Sequence, residues 1–90
     1  MDEALMIQWQ RAVDKFTLHK SGMNPWDAIL LSKQLPGCSM AERQVILFLL
    51  HAWNPSEEWP AKFDFFEAIG SWDVDNTRAF LDWAEEPVWP

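Results

Sequence analysis

Few side chains in this chain could hold a metal, attack a substrate or relay a proton: Cys38, His19, His51 and fourteen carboxylates. Cys38 and the two histidines fall at no spacing that would close a metal site. Cys38 flanks a turn and reads as structural. His51 lies within an apolar stretch and reads as a core or half-exposed histidine. The acid pairs Glu57-Glu58 and Glu85-Glu86 are adjacent, so on a helix they diverge by about 100° instead of converging on a substrate. Asp73-x-Asp75-x-Thr77 resembles the start of a calcium loop, but Arg78 stands where that loop needs glycine and Ala84 where it needs a bidentate acid. There is no phosphate-binding glycine loop, no G-x-S-x-G and no H-E-x-x-H. The reading is of a protein that is not an enzyme, with no catalytic residues, no metal and no cofactor.

The carboxylates carry more information as a field than as reagents. Residues 1–51 hold five acids and five bases, whereas residues 52–90 hold nine acids against Lys62 and Arg78, which accounts for the whole net charge of −7. The same 39 residues contain five of the seven tryptophans. On a helix over the last of these segments, Asp75, Asp82 and Glu86 recur at i, i+7 and i+11, with Glu85 three residues after Asp82. That spacing makes an acidic stripe opposite Phe80 and Leu81. With so few bases nearby, such a stripe is expected to be unscreened by internal pairs and to steer a basic partner. Trp59 beside Glu57 and Glu58, and Trp83 and Trp89 beside Glu85 and Glu86, are placed as aromatic anchors ringed by charge.

Carboxylates can take the place of phosphates toward the forked guanidinium of Arg and toward Lys. The expectation is therefore a small acidic protein-binding module, an inhibitor or adaptor that docks on a basic, nucleic-acid-handling protein or nuclease complex without binding nucleic acid itself. By analogy of physique, phage or mobile-element inhibitors such as anti-CRISPR proteins, and immunity proteins of nuclease toxins, are built this way. The alternative is a structural subunit that oligomerises, as a homodimer for instance, through apolar and tryptophan surface. A second alternative is a helix-turn-helix regulator with Arg43 and Gln44 facing DNA, disfavoured by the shortage of Lys and Arg.

The elements that position these residues are helices. A chain of this length forms one domain, and with 49% hydrophobic residues, seven Trp and six Phe it can build a dense core. Leu5, Trp9, Ala12, Val13 and Phe16 share a face of a first helix from Glu3 to about His19, stopped by Ser21-Gly22. Asn24-Pro25 reads as N-cap and first position of a second helix to about Gln34, burying Trp26, Ile29, Leu30 and Leu35. Ser39-Met40-Ala41-Glu42 is a capping box opening a third helix to Trp53, apolar nearly all round and hence central. A fourth helix spans about Ala61 to Ile69. A fifth opens near Asp73, turns Thr77, Phe80, Leu81 and Ala84 inward, and stops before Pro87. The expected fold is all-α, a single domain over residues 1–90 of five short helices in an orthogonal or bundle-like array. Residues 1–53 are its neutral scaffold and 54–90 its acidic, Trp-rich part.

One cysteine excludes an internal disulfide framework, and Met1-Asp2-Glu3 carries negative charge where a secretory leader carries positive. The longest apolar run, Val45–Leu50, is far short of the roughly 20 residues that span a bilayer. These features lead to the expectation of a cytoplasmic protein with no membrane association.

Overall fold

Seven consecutive residues, Gln44 to Leu50, are all buried, and they define the axis around which the chain is arranged. They belong to α3 (Met40–Trp53) in a computed structural model that describes residues 2–90. Around it are α1 (Glu3–Asp14), α2 (Ala28–Ser32), α4 (Phe65–Ser71) and α5 (Val74–Glu85), with a single 3₁₀ turn at Leu35–Gly37. The fold is all-α, with five α-helices and no strand among the described residues. One continuous core joins Trp9, Val13 and Phe16 from the first segment, Leu31 and Leu35 from the second, the buried face of α3, and Ala68, Trp72 and Ala79 from the last. The radius of gyration, 12.0 Å, equals the value of about 12 Å expected for a compact chain of this length.

The capping box of α3 forms as its sequence dictates. The Ser39 hydroxyl accepts from the Glu42 amide at 3.3 Å, and the Glu42 carboxylate accepts from the Ser39 amide at 2.9 Å. That amide, then the Ser39 side chain and the Lys20 ammonium 3.9 Å away, hold the Glu42 carboxyl below its ordinary pKa. The N-caps of α2, α4 and α5 are Asp27, Asp64 and Asp73, each accepting from the amide three residues on.

Element boundaries depart from the sequence expectation where loops dock on helices. α1 ends at Asp14, not near His19, because the chain leaves the helix to bring Thr17 to α5. Asn24-Pro25 (a cis peptide bond) does not open α2; the Trp26 amide is held by the Gln10 side chain, and helix begins only after Asp27. That later start leaves a five-residue helix that buries Leu31, while Ile29 (59% exposed) and Leu30, expected inside, face out. α4 likewise begins at Phe65, after Ala61 and Phe63 have packed on the core from the non-helical segment before it.

Three carboxamides hold these loops. Gln44 accepts from the Asp64 amide and donates to the Glu67 carboxylate, both at 2.9 Å. Gln10 donates to the Met23 carbonyl at 2.7 Å and accepts from the Trp26 amide at 3.0 Å. Asn76 accepts from the Thr17 amide and donates to the Thr17 hydroxyl, 59 residues away in sequence. An amide side chain offers an acceptor and donors on one planar group, so it can satisfy both sides of a loop backbone that has left regular structure.

Removing these clips exposes the loops they hold. Gln44→Ala and Asn76→Ala are each expected to cost about 1–3 kcal/mol, because backbone donors lose their partners. Gly22→Ala is expected to cost at least about 2 kcal/mol, since Gly22 has φ +97° and a Cβ there would meet the Leu31 amide nitrogen at 2.5 Å. Urea unfolding midpoints measure all three. For Glu42 the depressed native pKa means its contribution is present above the unfolded value of about 4.3 and is lost as pH falls below that. The stability gap between wild type and Glu42→Gln should therefore shrink from about pH 5 to about pH 3.

Candidate functional site

The acid-bearing helix, α5, sits one step round from the expected orientation. Its inward residues are Asn76, Ala79, Phe80 and Trp83, while Leu81 and Ala84, expected inside, are exposed and Thr77 is half-buried. The bond pair from Thr17 to Asn76 fixes this rotation by drawing a polar residue into the buried face. Trp83 thereby becomes a packing residue. Its ring meets Phe48 edge-on with centroids 5.0 Å apart, and its N–H donates to the Val88 carbonyl at 3.2 Å, folding the C-terminal segment back. Trp89 rests on the outer side of Trp83 at 5.0 Å and remains 57% exposed.

The rotation also moves the acidic stripe. At about 100° per residue, Asp75, Asp82 and Glu86 lie within about 40° of one another, on the flank of the inward face. Asp75 and Glu86 are exposed and Asp82 is half-buried, and all three border clefts between α5 and the α1 segment that runs on to Thr17. One cleft, about 400 Å³, is lined by Arg11, Lys15, Asp82, Glu86 and Trp83; a second by Lys15, Asp75, Arg78 and Asp82. Lys15 approaches Asp82 to 3.8 Å. The expectation that this field is unscreened by internal pairs is thus corrected for Asp82, since Lys15, the C-cap of α1, supplies a base that the sequence places far away.

Trp59 is the second correction. It is half-buried against the core and its N–H donates to the Asn54 carbonyl at 3.0 Å, so its ring is not a free anchor. Glu57 and Glu58 are exposed and belong with it to the α3–α4 turn, not to the α5 stripe. Glu85 and Glu86 are exposed at the end of α5.

Of the groups capable of chemistry, Cys38, His51 and Asp73 are engaged within the fold, while His19 is exposed. Burial, only partly opposed by Lys20, pushes the Cys38 thiol up, away from reactivity, and its Sγ lies 3.1 Å from the Gln34 carbonyl. His51 bonds the Ala61 carbonyl through Nε2 at 2.9 Å. Asp73 is consumed as the α5 N-cap. Among the described residues no group of three His, Cys, Asp or Glu converges as metal ligands would, and no helix is long and apolar enough to cross a membrane. Gln44 is buried with both ends of its amide bonded, which removes it from the DNA-facing role considered for α3.

Sequence reasoning missed an apolar strip over α4 and α5. Phe66 is 85% exposed and Val74 80% exposed, with Phe65, Ile69 and Leu81 exposed beside them. Phe65 packs on Phe66 at 5.8 Å and on Phe80 at 6.0 Å, and Phe80 on Trp72 at 5.8 Å. Trp72 then lines a shallow groove of about 200 Å³ with Val74, Thr77 and Leu81. The signal was the Phe63–Phe66 cluster, which holds more aromatic surface than a seven-residue helix can turn inward. Comparison with known protein families, curated proteins and solved structures finds no match to this chain.

The two α5-end tryptophans should separate in a denaturation experiment. Trp83→Ala removes a ring packed on Phe48 and is expected to cost about 2 kcal/mol or more. Trp89→Ala, exposed, should cost under about 1 kcal/mol. Asp82→Asn should also stay under about 1 kcal/mol, as a solvent-exposed pair allows.

Proposed function

We propose that this protein is a small acidic protein-binding module, an inhibitor or adaptor that docks carboxylates on a basic partner protein. One observation carries the reading. Of the nine acids after residue 51, eight are exposed and outside any ion pair among the described residues: Glu57, Glu58, Asp64, Glu67, Asp73, Asp75, Glu85 and Glu86. A field of that kind raises the encounter rate with a cationic surface and penalises an anionic one.

The partner class that suits it is a nucleic-acid-handling protein, whose Arg and Lys side chains accept carboxylates in the geometry they use for phosphates. In that form the module is a nucleic-acid mimic, the physique of phage-borne or mobile-element inhibitors and nuclease-immunity proteins. Self-association as a structural subunit is the second reading, and the exposed Phe66 is the observation in its favour. Against it stands the net charge of −7, which two copies would have to bring together.

Reversal of three exposed acids tests the proposal: Asp75→Lys, Glu85→Lys and Glu86→Lys in one chain. The wild-type protein should retain a basic partner from host lysate at about 50 mM salt, lose at least about tenfold in affinity by about 300 mM, and release it to competing duplex DNA or heparin. The triple variant should not retain it. Equal retention by the variant, or retention indifferent to salt, would overturn the acidic-docking reading.

A further inference from the structure

The chain from α1 runs antiparallel to α5, and the polar contacts between them open from one end to the other. At the closed end Thr17 and Asn76 are bonded at 2.9 and 3.0 Å. Further along, Lys15 stands 3.8 Å from Asp82. The next pair is Arg11 on α1 and Glu86 at the C-cap of α5, each four residues from the pair before and so about 6 Å along its helix. Arg11 and Glu86 line one cleft of about 400 Å³ without forming an ion pair, and both are exposed. The rest of the lining is largely apolar. Ala12 and Ala79 present only methyl groups, and Trp83 and Val88 add a wall. That wall is fixed, because Trp83 packs on Phe48 and its N–H donates to the Val88 carbonyl at 3.2 Å.

We propose that this cleft binds a small zwitterion, a free α-amino acid with an apolar side chain, its carboxylate on Arg11 and its ammonium on Glu86. The volume falls within the about 300–1,000 Å³ of small-molecule sites. The Arg11 guanidinium offers a planar fork that a carboxylate can meet with two bonds, and the Glu86 carboxylate accepts from an ammonium group. The ligand's side chain then covers Trp83 and Val88. Charge selects the class. Lys15 and Asp82 answer each other, which leaves one positive and one negative group unpaired in the cleft. A simple anion gains Arg11 and is repelled by Glu86, and a simple cation meets the reverse; a zwitterion meets neither penalty. The site goes beyond the acidic docking proposed above, since it needs Arg11 and no partner protein.

Amide NMR titration of the isotope-labelled full chain with L-leucine and L-phenylalanine tests this. Saturable shifts should map to α1 around Arg11, to the end of α5 and to the Trp83 indole N–H. N-acetyl-leucine, which lacks the ammonium, and leucinamide, which lacks the carboxylate, should each bind at least about tenfold more weakly. Arg11→Ala and Glu86→Gln should cost as much. Ala12→Met, folded by circular dichroism, keeps both charges and fills the cleft, and should abolish the shifts. No saturable shift from either amino acid up to about 10 mM, equal binding of the acetylated or amidated form, or binding unaltered by Arg11→Ala overturns the proposal. So does a stability coupling between Arg11→Ala and Glu86→Gln in a ligand-free double-mutant cycle, which assigns the two charges to each other. The two readings fail separately: Arg11→Ala should lose the amino acid while retaining a basic partner protein.

Discussion

A helix buried along seven consecutive residues is the constraint that the rest of this protein answers. Such a helix needs covering on every side, and α1, α2, α4 and α5 together offer too few turns to do it. Loops therefore complete the shell: Phe16, Leu18 and Met23 after α1, Trp59, Ala61 and Phe63 before α4, and Val88 after α5. A loop that covers a core loses water from its own amides and carbonyls. Gln10, Gln44 and Asn76 replace that water with side-chain bonds, each from a helix to a neighbouring loop or loop-to-helix junction. Their cost in burial is met because their amides are bonded at both ends.

The aromatic content follows from the same geometry. Trp9, Trp26 and Trp53 pack as a trio with centroids 5.1 to 5.8 Å apart, closing the end of α3 against α1 and the α2 entry. Trp9 and Trp26 bury indole N–H groups with no oxygen acceptor. Their rings meet edge to face, 84° between planes, a packing that aromatic quadrupoles favour. A second group, Phe48, Phe63, Trp72, Phe80 and Trp83, closes the opposite side. The tryptophans of the acidic half are thus mostly structural, and the exposed aromatic surface comes from Phe65 and Phe66 on α4 and from Trp89.

This division explains why an acidic half can remain acidic. The core is sealed by rings and amides, so stability does not depend on pairing the carboxylates with bases. Most of them are free to cap helices or face solvent, and Asp64 and Asp73 do both.

The local rules of the chain were legible from residue type alone: helix as the only regular structure, the Ser39–Glu42 box, the centrality of α3, the opening of α5 at Asp73 and the charge asymmetry. These depend on neighbours within four positions, or on counting. The end of α1 at Asp14, the late start of α2 and the rotation of α5 were not legible, because each is set by an amide reaching across 13 to 59 residues of sequence. A helical wheel assigns Asn76 to solvent by its polarity; only Thr17, brought alongside by the fold, makes its burial favourable. The same step turned Trp83 inward, set Lys15 against Asp82 and left Leu81 in the open. The sequence by itself determined which residues could make a binding surface, and tertiary contacts decided which of them face outward.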